Sequence, residues 1–126
     1  MTMWTNDERN KIGTAEELEI ASLRRDGALR KLRTIWVVGV GDDLYVRSVR
    51  GRGSDWFRGV LTRHEGRIQA GGVAKDVAFV EMNDAALHAQ IDAAYREKYR
   101  RQPKEYVDAC VTPQALAATI KLVPRS

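Results

Sequence analysis

The chain has 126 residues, of which 44% are hydrophobic and 30% are charged, and its formal net charge is +4 at pH 7. This composition is typical of a globular domain and excludes a disordered, collagen-like or membrane-spanning chain, because no apolar run approaches the roughly 20 residues that a membrane helix needs. The length predicts one domain over residues 1–126. The basic balance favours an acidic partner, although arginines scattered over a solvated surface would give the same total.

The pattern of apolar residues predicts short strands mixed with short helices. Alternating or β-branched runs predict strands over residues 18–22, 28–32, 34–40, 44–48, 67–70, 73–82 and 120–123. Turn residues at Asp26-Gly27, Gly41-Asp42-Asp43 and Gly71-Gly72 predict hairpins. Six or seven short strands with three or four helices, and no regular βαβ alternation, predict an α+β domain built on an antiparallel sheet or barrel.

Capping residues set the limits of the predicted helices. The helix starts are at Thr5 or Asn6, at Ser54, at Asn83 or Asp84, near Tyr106, and at Thr112-Pro113. Glycine is expected to end two of these helices, at Gly13 and at Gly66.

Residues that bind metals or form disulfides are scarce. Cys110 is the one cysteine, and the two histidines, His64 and His88, are isolated in the sequence. We therefore expect no internal disulfide, no protein-held metal, a buried structural role for Cys110 and a surface position for His64. The first residues lack the basic and apolar plan of a secretory signal, which predicts a cytoplasmic location.

The segment from Arg47 to Arg58 is the most informative in the chain. It follows a predicted strand with arginines and glycines and then begins a helix at Ser54. Arginine supplies charge and paired donors, glycine permits close approach to the backbone, and the free N–H groups of a helix start point back at the loop. The segment therefore predicts a cradle for the phosphate of a small molecule, with a solvated charged loop as an equal alternative.

Strand geometry limits which of these side chains act together. Period-two alternation puts Tyr45 and Arg47 on one face of the sheet and Val46 and Ser48 on the other. Arg47 and Ser48 can therefore share a pocket only if the strand ends or bulges between them.

Two tryptophans are candidate contacts for a ligand ring. Trp36 shares a strand face with Val38 and Val40, so core packing is its default role. Trp56 lies beside the apolar stripe of its helix and is free to cover a ring or a partner, or to fill a half-exposed position.

A second basic run, residues 96–104, follows the apolar face of the longest predicted helix. The neighbouring Tyr95 and Tyr99 fall on the buried stripe and are not interleaved with the arginines, as base stacking would require. We interpret the run as the solvated side of an amphipathic helix and rank nucleic-acid binding last among the candidate functions.

The order of these parts resembles the FMN-binding split-barrel group, which includes pyridoxamine-phosphate-oxidase-like proteins and deazaflavin-dependent nitroreductases. The resemblance is carried by the paired strands 34–38 and 43–48, the segment 53–58 and the strand that opens at 66–68. A wider set is similar to a small bacterial family of unknown function within that group, and it comprises residues 26–27, 35–38, 45–48, 56–58, 70–73 and 91–95.

The resemblance implies an antiparallel split-barrel homodimer that binds the phosphorylated cofactor FMN or a deazaflavin. By position, it assigns cofactor phosphate or ring contacts to Arg47, Ser48, Arg52, Gly53, Ser54, Trp56, Arg58, Trp36 and Tyr45. Replacing Arg47 and Arg52 together by alanine is then expected to abolish ligand binding and leave the fold intact.

Two hypotheses for function follow. In the first, the protein is a reductase that transfers hydride to a small oxidised substrate. No general base stands out in the sequence, which is consistent with redox chemistry carried by a cofactor. In the second, a non-catalytic relative binds an anionic ligand or a partner protein without redox chemistry.

Overall fold

The structure is a computed structural model that describes residues 3–125 and places seven strands of that range in one sheet. The strands are β1 Leu18–Ser22, β2 Arg33–Ile35, β3 Val38–Val40, β4 Asp43–Arg47, β5 Glu65–Ala70, β6 Val73–Glu81 and β7 Thr119–Pro124. The helices are α1 Asn6–Thr14, α2 Asp55–Arg63, α3 Ala85–Lys98, α4 Lys104–Ala109 and α5 Pro113–Leu116, and a 3-10 turn at Gly51–Gly53 precedes α2. The predicted α+β class is confirmed, with five α-helices in place of three or four.

The sheet curls until its two edges lie close together. The strand order is β2-β1-β5-β6-β7-β4-β3, and every neighbouring pair is antiparallel. β2 and β3 are at opposite edges of this order, yet only Trp36 and Val37 separate them in the chain. Because three residue steps span at most about 11 Å, the edges meet there and the sheet forms a split barrel.

The single strand predicted over 34–40 is therefore two strands. At Val37 the backbone bonds to the end of α3 and not to a neighbouring strand: the Tyr99 hydroxyl accepts from the Val37 N–H at 3.1 Å, and Lys98 Nζ donates to the Val37 carbonyl at 2.6 Å. Every residue in this run except Gly39 suits a strand, so the change of edge leaves no break in the sequence pattern.

The strand predicted over 28–32 is not formed, although the turn before it is. Gly27 has φ of 89°, and the Ala28 N–H donates to Asp26 Oδ1 at 3.0 Å. Beyond the turn, a single bridge pairs Leu23 with Leu29. β2 pairs with Leu18, Glu19 and Ile20 of β1, and β5 pairs with the other side of β1, so only the end of β1 remains open to this segment. It forms a loop beside α2.

Helix limits follow the capping residues closely. Ser54, Asp84 and Thr112 each accept a hydrogen bond from a first-turn amide of α2, α3 and α5. α2 ends at His64, an exposed residue with φ of 60°, and Gly66 lies within β5. The predicted surface position of His64 is confirmed. None of the helices within residues 3–125 is long and apolar enough to cross a membrane.

Two apolar clusters occupy the two faces of the sheet. The first contains Leu44 and Val46 of β4, and the second contains Tyr45 of the same strand together with Tyr95 and Tyr99 of α3. This division confirms the alternation predicted for β4. In the second cluster, the Trp36 ring stacks on the Tyr99 ring with centroids 3.9 Å apart.

Candidate functional site

A cavity of about 690 Å³ opens between the end of β4, the 3-10 turn and the start of α2. We call it the basic cavity. Its walls include four of the residues predicted to bind a cofactor, Ser48, Gly53, Ser54 and Trp56, and two arginines, Arg33 and Arg50.

Two serines meet at the start of α2. The hydroxyl oxygens of Ser48 and Ser54 are 2.7 Å apart and share a hydrogen bond. Ser54 also caps the helix, because its hydroxyl accepts from the Phe57 N–H at 3.4 Å. The first helical bond is donated by the Arg58 N–H to the Ser54 carbonyl, so the amides of Asp55 and Trp56 lack acceptors within the helix. These donors and the positive end of the helix dipole favour an anion in this cavity.

The charge of the basic cavity comes from opposite ends of the strand order. Arg50 lies in the loop after β4, whereas Arg33 begins β2 at the opposite edge of the strand order. The same cavity is lined by one carboxylate, that of Asp55, whose Oδ2 lies 4.0 Å from Arg33 Nη2. Arg33 was missed by sequence reasoning, because it enters the site only when the sheet curls.

Arg47 has an internal role and does not line the basic cavity, which does not support its predicted role as a phosphate ligand. Its side chain is fully buried, and Nε donates to Thr119 Oγ1 at 3.0 Å. Nη1 donates to Asp92 Oδ1 at 2.5 Å and to the Cys110 carbonyl at 3.0 Å. Nη2 faces His88, with Nδ1 at 3.0 Å and the carbonyl oxygen at 3.4 Å. All five guanidinium N–H groups therefore have acceptors inside the protein.

His88 is buried beside this guanidinium, and sequence reasoning did not connect the two. Burial and the positive charge of Arg47 lower the pKa of His88. The imidazole is therefore neutral near pH 7, and Nδ1 can accept the bond from Arg47.

Three further predicted contacts lie away from the basic cavity. Arg52 donates to Glu81 Oε1 at 2.6 Å and to the Ala117 carbonyl at 3.0 Å. Arg58 is exposed on the outer side of α2 and does not line the cavity. Tyr45 is buried in the second apolar cluster, where burial raises its pKa. Strand alternation places Tyr45 away from the cavity, and the position of Arg58 around α2 turns it outward. Their closeness in sequence to the glycine loop did not reveal this.

A second cavity, of about 260 Å³, adjoins the basic cavity. We call it the apolar cavity. The two share Thr34, Ile35, Val49 and Trp56, and the apolar cavity is further lined by Trp36, Arg47, Tyr95, Tyr106, Ala109 and Cys110. Cys110 is buried, as predicted, and burial raises the pKa of its thiol to about 11, which keeps it protonated at neutral pH.

Tyr95, which lines the apolar cavity, carries an unusual buried polar group. The residue is 1% exposed, and its hydroxyl is buried without a hydrogen-bond partner among residues 3–125. Burial raises the pKa of the phenol, while the positive charge of Arg47 and, less strongly, the Arg47 backbone act in the opposite direction. An unpartnered buried hydroxyl costs about 1–3 kcal/mol, which a ligand atom bonded to it would recover.

The second basic run is largely neutralised on the surface. Arg96 and Lys104 both pair with Asp108, at 3.4 and 2.8 Å, and Arg100 pairs with Glu97 at 3.1 Å. Tyr95 and Tyr99 are buried, as predicted. Two cations of the run form no salt bridge within residues 3–125: Arg101 and Lys98, of which Lys98 is half-buried and turned toward Val37.

The curled seven-stranded sheet with helices packed on both faces is the fold of the FMN-binding split-barrel group. Within that fold, the sequence is specific enough to assign a family. The chain belongs to the uncharacterized proteins conserved in bacteria called DUF2255, whose family profile matches residues 8–122. No curated protein matches the sequence.

Solved structures with the same fold differ in the ligands that their names give. A proposed pyridoxamine 5′-phosphate oxidase from Listeria innocua has a TM-score of 0.65 at 14% identity, over 93% of this chain and 90% of its own. The heme storage protein HutZ from Vibrio cholerae has a TM-score of 0.66 at 12% identity, over 99% of this chain and 92% of its own. An FAD-binding protein from Mesorhizobium loti has a TM-score of 0.57 at 17% identity, over 99% of this chain and 93% of its own.

Proposed function

We propose that this protein binds a flavin-type cofactor, FMN or a deazaflavin, with the phosphate in the basic cavity and the ring system in the apolar cavity. The continuity of the two cavities carries the proposal. They share Thr34, Ile35, Val49 and Trp56, so one ligand with a charged end and an aromatic end can occupy both. Cofactor sites commonly combine an apolar pocket with a few convergent polar groups.

The phosphate end is supported by the donors at the start of α2. Arg50 and Arg33 can each form charge-assisted bonds, and the Ser48 and Ser54 hydroxyls and the first amides of α2 add neutral donors. Hydrogen bonds to charged groups contribute about 1.5–3 kcal/mol each, so two or three are sufficient for binding in the micromolar range.

The ring end is supported by the aromatic walls and the buried phenol. Trp56 is held edge-on against Phe57 with ring centroids 5.8 Å apart, and Trp36 is held by its stack on Tyr99. Both rings are therefore oriented before a ligand arrives. The unpartnered Tyr95 hydroxyl suits a polar atom on the edge of a ring. A ring that is flat, apolar on its faces and polar at its edge meets these requirements.

We further propose that the protein is a reductase acting on a small oxidised substrate. The bound cofactor would supply the hydride chemistry. The residues of this chain would bind and orient it, hold its phosphate and keep water from its ring. The existence of an FAD-binding protein with this fold supports a flavin, whereas the heme storage protein marks heme as the competing ligand.

A homodimer is part of the proposal. Val49 and Tyr106, which line the apolar cavity, are 43% and 59% exposed. Apolar side chains at the mouth of a ligand cavity are suitable for burial by a second subunit, which would complete the walls around the ring. Light scattering with and without cofactor would detect such a dimer.

An absorption spectrum and a titration test the proposal. We expect purified protein to carry a flavin or deazaflavin chromophore, or to take up one equivalent from solution. Arg50→Gln should weaken FMN binding by about tenfold or more, and Arg58→Gln, outside the cavity, should leave it unchanged. Protein that takes up neither flavin type, or that takes up only heme, would contradict the proposal.

The second hypothesis uses the same cavity without redox chemistry. The basic cavity can hold an anionic ligand or an acidic segment of a partner protein whatever occupies the apolar cavity. Binding of inorganic phosphate at Arg50, together with failure to bind either flavin type, would favour this non-catalytic function.

A further inference from the structure

A third cavity, of about 200 Å³, lies on the other side of Trp56, and we call it the loop cavity. It is lined by Arg24, which precedes the turn at Asp26-Gly27, and by Arg30 and Lys31 of the loop that was predicted to be a strand. It shares Arg33, Asp55 and Trp56 with the basic cavity. The two cavities are thus neighbouring compartments along one positively charged groove.

The loop cavity concentrates positive charge without internal neutralisation. Four cationic side chains line it, Arg24, Arg30, Lys31 and Arg33, against the single carboxylate of Asp55. Asp55 pairs with Arg33 at 4.0 Å. The other three cations form no salt bridge with any residue of the range 3–125. Like charges crowded in this way repel one another, and an anion among them would relieve the repulsion.

Arg30 is positioned by packing on α2. The backbone N–H of Arg30 donates to the Ser22 carbonyl at 2.9 Å, and the Arg30 side chain crosses Gly59 in the middle of α2. A Cβ on Gly59 would lie 3.0 Å from Arg30 Cδ, 3.1 Å from Arg30 Nε and 2.5 Å from Ser22 Oγ. Glycine is unfavourable inside a helix, but here it leaves room for the arginine stem. The Nε atom is buried with no hydrogen-bond partner in the described part of the chain.

We propose that the loop cavity is a second anion subsite, through which this protein binds a flavin with two anionic groups, such as a diphosphate-linked flavin, more tightly than FMN. The first group occupies the basic cavity at Arg50 and Ser54. The second passes Trp56 and Arg33 and binds Arg30 and Lys31. The identity of the first group rests on the proposed function, whereas the second subsite is defined by its own residues and can be tested separately.

Inorganic pyrophosphate is the direct probe of this subsite, with titration calorimetry on the full chain as the measurement. We expect wild-type protein to bind it and Arg30→Gln to weaken binding by about tenfold or more. Lys31→Gln is a second variant at an exposed position, in case Arg30→Gln does not fold. Arg58→Gln is the matched control and should bind as the wild type does. No pyrophosphate binding, or equal binding by all these variants, would overturn the inference.

A comparison of FAD with FMN then tests whether one ligand spans both subsites. FAD should bind more tightly than FMN, and Arg30→Gln should remove this advantage while leaving FMN affinity unchanged. Equal affinities of wild-type protein for FAD and FMN would overturn the inference. The two proposals can fail separately. If FMN binding depends on Arg50 but not on Arg30, and pyrophosphate binding does not depend on Arg30, only the proposed function is retained. Pyrophosphate binding that depends on Arg30, with no flavin binding, retains only the subsite.

Discussion

Arg47 Nη1 lies 2.5 Å from Asp92 Oδ1, and this ion pair joins β4 to α3 inside the protein. The same guanidinium is 5.6 Å from the centre of the Tyr95 ring, the ring that lines the apolar cavity. The arginine that the sequence offers as a phosphate ligand is therefore part of the wall of the apolar cavity, with its guanidinium bonded inside the protein.

Replacing Arg47 should destabilise the fold and not merely weaken a ligand. Arg47→Met leaves Asp92, which is 31% exposed, and the buried Cys110 carbonyl without their partner, and a buried acceptor left unsatisfied costs about 1–3 kcal/mol. Urea unfolding measures this change, with Arg58→Met expected within about 0.5 kcal/mol of wild type. The Arg47→Ala and Arg52→Ala double variant should consequently unfold readily. If Arg47→Met were as stable as Arg58→Met and only lost its ligand, the original sequence interpretation would be restored.

Ser54 combines helix capping with anion binding, and two substitutions separate these roles. Ser54→Ala removes the cap of α2 and should cost about 1 kcal/mol in a thermal or urea melt. Ser54→Asp keeps a good cap and places a carboxylate at the cavity, so stability should stay near that of wild type while FMN affinity falls by at least about tenfold. FMN affinity unchanged by Ser54→Asp would show that the phosphate binds elsewhere.

Two glycines, Gly53 and Gly66, should respond differently to alanine. A Cβ on Gly66 would lie 2.1 Å from the Ala21 carbonyl oxygen and 2.9 Å from the Phe79 ring, so Gly66→Ala should cost at least about 3 kcal/mol. A Cβ on Gly53 would meet nothing within 4 Å, so Gly53→Ala should fold normally. Because Gly53 lines the basic cavity, its added methyl should weaken FMN binding. Equal melting temperatures for the two variants would refute this reasoning.

The Tyr95 hydroxyl should matter for the ligand and not for stability. Tyr95→Phe removes a buried group that has no partner, so unfolding free energy should be unchanged or higher by about 1 kcal/mol, while flavin affinity decreases. Tyr45→Phe is the matched control, because Tyr45 is similarly buried but lines none of the three cavities. A fluorescence titration compares the variants. Equal flavin affinity for Tyr95→Phe and Tyr45→Phe would move the ring out of the apolar cavity.

Lys98 should make stability depend on alkaline pH. Burial lowers the pKa of Lys98 to about 8 from an ordinary value of 10.5. Between these values the unfolded chain binds the additional proton, so the free energy of unfolding should rise with pH from about 8 to 10, by roughly 1 kcal/mol for a partly exposed side chain. Burial also raises the pKa of Tyr99, which acts in the opposite direction above pH 10.

Urea unfolding at several pH values from 7 to 10 measures this effect, with Lys98→Met as the reference. The stability difference between the wild type and Lys98→Met should grow in favour of the wild type as the pH rises. A constant difference across this range would show that Lys98 titrates at its ordinary pKa.

Local features were predictable because their causes lie within a few residues. The limits of β1, the caps at Ser54, Asp84 and Thr112, and the alternation of β4 all follow from adjacent side chains. The failures lie where distant segments compete. The segment after Gly27 has a strand-like sequence, but β2 and β5 occupy most of both sides of β1.

The amino-acid order alone determined the split-barrel resemblance, the turn and helix positions, and a serine-capped helix start after an arginine-rich loop, because each depends on short-range sterics and hydrogen bonds. Only the tertiary structure decided which arginines face a ligand. Curling of the sheet brings Arg33 to the basic cavity, while alternation along β4 turns Arg47 toward Asp92. Which cations converge depends on how strand edges meet in space, and no local sequence pattern encodes that meeting.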